Sequence, residues 1–309
     1  MKSSKLQLTR RQAMAKLGMA AGSTIFAQSA ATASPFGYHP ILAAESYIWL
    51  EEFQARKQTL ADGIPEMCEG FHRAGFENVE LDENFLVDNL RAETLEQLTR
   101  NQLRLLSVYA NSVMHTPEAA EKSIARIIAL ARSLKPAGFQ AIITDPLPRP
   151  DHQPKSEAEL ALQSSSLNAL ASQLGKLGIR LIIHHHTPEL ADNAREWRYE
   201  LAHTDPRLVL CCVDVDWAVR GGQQPLPFIK ACGNRLASLH LRNDHQGVWM
   251  EDFGPGDIDY HPIARYLQGI NYQGFLIVEL AYERKTRVTR PLAEDLRRSR
   301  VYVQKIFGL

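Results

Sequence analysis

The chain has 309 residues, 45% of them hydrophobic, which is enough to bury one large core, and nothing in that length requires a second domain. Its 35 basic and 35 acidic residues balance, but residues 1–33 hold five of the bases and no acid; the remainder has 30 against 35, a net charge of −5, which excludes the basic surface that nucleic-acid partners need. Cys68, Cys211, Cys212 and Cys232 lack the paired spacing of a zinc ribbon or a redox motif and read as buried small hydrophobes.

The first 33 residues carry Arg10-Arg11 in a basic stretch, then a Gly- and Ala-rich apolar run and Ala31-Thr32-Ala33 before Ser34. This resembles a twin-arginine export signal, with Ala13 where such signals usually place Phe; an amphipathic amino-terminal helix is the alternative. The resemblance implies a signal peptide over residues 1–33, a domain over 34–309, the export machinery as a partner, and a periplasmic or secreted product without a stable membrane anchor.

From about residue 40, short apolar runs alternate with longer helical patterns, the signature of βαβ units around a parallel sheet. In chain order the predicted strands are Ile41–Ile48, Asn78–Leu81, Leu103–Tyr109, Ala141–Thr144, Arg180–His184, Leu208–Asp214, Leu236–Leu241 and Phe275–Leu280. That number closes a (β/α)8 TIM barrel. Between them, Thr116-Pro117-Glu118 reads as a helix start, and Ser156 with Glu159 as a capping box. Gly178 then marks the end of that helix, and a last helix near Glu294–Phe307 completes the outer ring. The polar, Pro-rich stretch Pro146–Lys155 follows the fourth strand on the catalytic face, where it reads either as a lid or as an ordinary surface loop.

In a parallel barrel, polar residues at the carboxyl ends of the strands face a shared pocket. The fifth strand ends in His184-His185-His186, the sixth in Asp214 and Asp216, the seventh in His240 with Arg242 and Asp244 beyond, and the eighth in Glu279. Singly, a His run reads as a turn, Asp214 as a helix cap and His240 as a core histidine. Jointly, imidazoles and carboxylates on four successive strands point to one divalent metal site of Mn, Co, Mg or Zn type. Glu80, at the end of the second strand, with Arg242, Asp244 and Trp249 are the candidate substrate-binding residues, and Tyr47 and Trp49 are possible faces for a sugar ring.

These residues fall in motifs: Gly178–His186 against a "YHNH" strand, Asp214-Val215-Asp216-Trp217 with Gly221-Gly222 against "DVDW…GG", His240-Leu241-Arg242-Asn243 against "HLKD", and Gly254–Tyr260 against "GxGxxDY". The chain from about residue 41 onward thereby resembles the sugar phosphate isomerase/epimerase family, the xylose isomerase-like barrels, which includes inosose dehydratase and ketose 3-epimerases. The resemblance implies a metal held by His184, Asp214, His240 and Glu279. It also implies that a sugar or keto-polyol is isomerised, epimerised or dehydrated through an enediolate. The epimerase branch has glutamate where this chain has His184, which puts a symmetric two-glutamate epimerisation in doubt and leaves Glu279 or His186 as the catalytic base. Two other readings stand beside this one: a catalytically silent carbohydrate-binding barrel, and a phosphodiesterase like the apurinic endonucleases, which the acidic charge disfavours. A homo-oligomer is left open.

Overall fold

The computed structural model describes residues 37–309, so the export signal expected over residues 1–33 lies outside the described residues. Eight parallel strands close a barrel: β1 (Ile41–Glu45), β2 (Asn78–Asp82), β3 (Arg104–Tyr109), β4 (Ala141–Thr144), β5 (Arg180–Ile183), β6 (Val209–Asp214), β7 (Leu236–Leu241) and β8 (Phe275–Val278). The last strand returns to the first, with Ile41 opposite Phe275 and Ala44 opposite Val278, so no edge is left unpaired. The helices are α1 (Tyr47–Ala55), α2 (Leu60–Arg73), α3 (Asp88–Arg100), α4 (Pro117–Leu134), α5 (Glu157–Gly175), α6 (Thr187–His203), α7 (Val215–Arg220), α8 (Pro225–Ala231), α9 (His261–Gly269) and α10 (Leu292–Phe307). This is the (β/α)8 TIM barrel expected from the alternation.

Strand alternation divides the apolar residues into two cores. Ala43, Leu106, Ile143, Ile182, Cys212 and Ile277 fill the barrel interior, while Val79, Val108, Leu181, Cys211 and Leu239 face the helices. Neighbouring Cys211 and Cys212 thus serve opposite faces of one strand, and all four cysteines are buried free thiols.

Local chemistry sets several boundaries. Ser156 forms the expected capping box, its hydroxyl accepting from the Glu159 N–H while Glu159 Oε2 accepts the Ser156 N–H at 2.7 Å. Gly178 takes φ +76°, the left-handed turn that leads into β5. Thr116 supplies an extended N-cap backbone, but its side chain makes no cap bond. The first strand is shorter than expected. It stops at Glu45 because the Ser46 hydroxyl accepts the Asp82 N–H at 2.8 Å and the Ser46 carbonyl accepts the Trp49 N–H at 3.0 Å, which turns the apolar run Tyr47–Trp49 into α1. The Pro146–Lys155 loop is tied across its base, with Lys155 Nζ donating to the Pro146 carbonyl at 2.9 Å, and its residues Leu147 and Pro148 form part of the wall of the central cavity.

Candidate active site

Pairing continues one residue past β5, where the His184 N–H donates to the Thr144 carbonyl at 2.8 Å and alternation turns the imidazole inward. His184 is fully buried; its Nδ1 lies 3.3 Å from the Tyr109 hydroxyl, and its Nε2, 3.9 Å from Asp214 Oδ2, has no hydrogen-bond partner. Asp214 closes β6 and divides its two oxygens. Oδ1 accepts the Trp217 N–H at 2.8 Å and caps α7, while Oδ2 faces the barrel axis and accepts from Arg242 at 2.7 Å. From β7, His240 presents Nδ1 to Glu279 Oε2 and Nε2 to Glu80 Oε1, the latter at 3.0 Å. Glu279 follows β8, and its other oxygen accepts from Arg242. One donor atom from each of His184, Asp214, His240 and Glu279 falls within 4.8 Å of the others.

Three of these four suit a bound cation as they stand; burial disfavours the charged ring of His240, but Cys212, Glu80 and Glu279 raise it well above the usual histidine range, so it has to release a proton to serve as a donor. Burial and the neighbouring imidazoles hold His184 well below the usual histidine range, so it is neutral and can offer a lone pair. Burial alone would raise Glu279, but Arg242 and His240 beside it bring it down to about 2. Asp214 is raised by burial against the pull of Arg242. Seven carboxylates are buried on this rim, namely Glu45, Asp82, Asp145, Glu189, Asp214, Asp216 and Glu279, with Glu80 in the layer beneath, whereas Arg242 is the arginine buried among them. Mixed imidazole and carboxylate donors and an unpartnered His184 Nε2 fit a divalent ion.

Above the donors opens a cavity of about 370 Å3. Arg242 and Glu279 form its floor, Glu45 and Asp82 one wall, Asp145 and His186 the opposite side, and Trp217 and Tyr47 its aromatic surfaces. His186 Nδ1 lies 3.0 Å from Asp145 Oδ2; burial disfavours the charged ring, but that carboxylate lifts it to about 9. Burial pushes Glu45 well above the usual carboxylate range, which favours the uncharged acid, and raises Asp82 also, against the hydrogen bonds it accepts from Asn84. Burial likewise raises Glu189, which accepts the His186 N–H at 2.8 Å, to about 8.

The residues predicted from the sequence divide into two groups. His184, Asp214, His240, Glu279 and Arg242 converge, and His186 lines the cavity above them. Three of the four expected substrate contacts are elsewhere. Glu80 is buried behind His240, with one oxygen toward that ring and the other accepting from Ser107, because the inward position one layer below Asp82 faces the barrel interior. Asp244 begins a short hairpin, Asp244–His245 with Val248–Trp249, and spends its carboxylate on Arg220 at 3.2 Å. Trp249 donates Nε1 to Asp216 at 2.6 Å and lays its ring on Arg242 at 4.8 Å, so it supports the arginine from outside the cavity. Trp49 packs in the core against Phe53 and Phe71, whereas Tyr47 is exposed at the rim. Glu45, Asp82, Asp145 and Glu189 were missed. The first three end β1 and β2 or follow β4, so the strand-end rule applied to the early strands finds them as well.

Comparison with known proteins bears on the fold and the family. The curated relatives include an inosose dehydratase of Clostridium perfringens, 29% identical over 168 residues that cover 48% of this chain and 56% of that protein, so the chain spans just over half the length of that relative. An inosose dehydratase of Clostridium botulinum is 24% identical over 280 residues, covering 81% of this chain and 90% of the relative. Among solved structures, a sugar phosphate isomerase/epimerase from Parabacteroides distasonis superposes with a TM-score of 0.68 at 20% identity, covering 88% of this chain and 96% of that one, a likeness of fold. The family model for the xylose isomerase-like TIM barrel matches residues 69–302, and with the closed parallel barrel it establishes that the chain belongs to that family.

Proposed function

We propose that the protein is a divalent-metal-dependent enzyme that removes a proton beside the carbonyl of a sugar or keto-polyol, as an isomerase, an epimerase or a dehydratase-type lyase. The observation that carries this reading is the convergence of His184, Asp214, His240 and Glu279 within 4.8 Å beneath a cavity of about 370 Å3 whose lining includes Glu45, Asp82, Asp145 and His186. The names of the curated relatives, inosose dehydratases, support the same substrate class. Those four residues would hold the ion, which when bound supplies a Lewis acid that polarises the carbonyl and acidifies the neighbouring C–H.

The chain's own groups divide the remaining work. Glu279, ionised by Arg242 and His240, accepts the carbon-bound proton. His186, charged beside Asp145, donates to an oxygen: the leaving hydroxyl departs as water in a dehydration, and a hydroxyl and carbonyl exchange places in an isomerisation. Glu45, as an uncharged acid, both donates to and accepts from ring hydroxyls, and Asp82 accepts from them. Because His184 stands where two-glutamate epimerases have their second base, the proton-transfer groups are unlike one another, which favours dehydration or isomerisation over a symmetric inversion.

The test is solvent deuterium exchange into scyllo-inosose and a panel of keto-sugars by protein loaded with Mn, Co, Mg or Zn. Exchange or product with at least one compound is expected. Metal retained with no exchange in any of them would replace this reading with a silent carbohydrate-binding barrel. We further propose that Arg10-Arg11 and Ala31-Thr32-Ala33 direct export of the folded chain and cleavage after Ala33; a periplasmic protein whose first residue is Ser34 is the expected result, and an uncleaved cytoplasmic protein would overturn it.

A further inference from the structure

A second hollow, of about 260 Å3, lies beside the central cavity, and the two share Pro148 and Pro188 as a common wall. Its other surfaces come from the loop after β4, including His152 and Gln153, and from the start of α6, including Asp192. The central cavity is at the small end of the range for ligand sites, and the hollow beside it adds space for a group attached to the reacting ring.

The charges of the hollow define what it can accept. Arg149 is held by Asp151 and Glu159, each at 2.9 Å, Lys155 by Glu196 at 2.6 Å, and Arg195 by Glu157. With all three cations already paired, a phosphate or carboxylate entering the hollow would have to displace an acid. A neutral polyhydroxylated group has no such competitor. His152, Gln153 and Asp192 line the hollow with hydrogen-bonding side chains, and Pro148 and Pro188 add apolar ring faces that suit the C–H faces of such a group.

The backbone is strained at the same place. Among the described residues, eight that are not glycine have positive φ. Lys57, Gln102 and Asn271 follow helix C-caps and Gln246 sits in the hairpin turn, positions where a left-handed residue is ordinary. The other four are His152, Asp192, Asn193 and Ala194, all on the loop and the helix that border this hollow. Three successive left-handed residues, Asp192, Asn193 and Ala194, break α6 after its first turn, a conformation that Asp and Asn tolerate and that is least natural for Ala194. Packing holds the break in place: Leu190 is so close to Gly221 that a β-carbon added there would lie 2.5 Å from its Cδ1. Strain of this kind collects where a surface has to take a shape that regular structure does not offer.

We infer that this hollow is a distal subsite for the second, uncharged sugar ring of a glycoside whose keto ring occupies the central cavity. The inference rests on the proposed sugar chemistry of the central site, and the test separates the two. With manganese-loaded protein, affinities for 3-ketoglucose and 3-ketomaltose are measured by calorimetry for the natural chain and for a His152→Gly, Asp192→Gly double variant. Glycine suits both positive-φ positions, so the variant folds, which its melting temperature verifies. The keto-disaccharide should bind at least about tenfold more tightly than the keto-monosaccharide in the natural chain, with the preference lost in the variant. Equal affinities for the two compounds, or a preference that the variant keeps, would overturn the distal subsite while leaving the central site intact. Failure of the natural chain to bind either compound would overturn both.

Discussion

Glu45 on the early half of the barrel rim and Glu279 on the late half are the same residue type in opposite states, although Asp214 on the late half is itself raised by burial. Glu45 and Asp82 end β1 and β2 and are raised by burial toward the uncharged acid, whereas Glu279, after β8, is drawn down to about 2 by Arg242 and His240. The difference comes from the neighbours rather than from depth. Arg242 reaches both Asp214 and Glu279, and the two histidines lie on the same side, so positive charge and lone pairs gather on the late half while the early half has only acids. Under the proposed function, one side of the cavity would take the cation and the other the hydroxyls.

That contrast can be broken at several points. The largest effect is expected for Glu279→Gln, which removes both a donor and the proposed base; kcat/KM should fall by about 10³-fold, measured on whichever keto-polyol exchanges best. A fall of less than tenfold would move the base elsewhere. Next is Asp145→Asn, which leaves His186 without the carboxylate that charges it and should lower kcat by about 10²-fold with little change in KM. A change confined to KM would instead mark the pair as a binding element. Glu80→Gln sharpens the comparison from beneath, because Glu80 supports the His240 ring without reaching the cavity; metal affinity should weaken by roughly 10–100-fold in a titration followed by calorimetry. The smallest effect belongs to Glu45→Gln. If the uncharged acid is the working form, the amide imitates it, and kcat/KM should stay within about fivefold, the worth of one neutral hydrogen bond. A loss as large as that of Glu279→Gln would erase the distinction between the two halves.

Much of this was legible in the amino-acid sequence, for reasons that particular residues make plain. The barrel could be read because short apolar runs alternating with capped helices are local signals, as at Ser156–Glu159. The late half of the site could be read because His184, Asp214, His240 and Glu279 follow strands whose ends are sharply marked. The early half was less legible. Glu45 lay inside an apolar run that continues into α1, and only the contacts of Ser46 with β2 and α1 end the strand there. Glu80 and Trp249 were assigned to substrate because sequence position gives a strand end but not the layer of the barrel, and the partners that occupy them, His240 and Asp216, come from distant strands. The break in α6 left no pattern to read, since Asp192, Asn193 and Ala194 sit in an otherwise continuous helical stretch.

The central claim is that the late rim binds a divalent ion through His184, Asp214, His240 and Glu279. Elemental analysis of the purified protein, natural chain beside His240→Ala and Glu279→Ala, tests it directly and needs no knowledge of the substrate. About one Mn, Co, Mg or Zn per chain, lost in both variants, is the result the account predicts. A natural chain that remains metal-free after incubation with all four ions would contradict it.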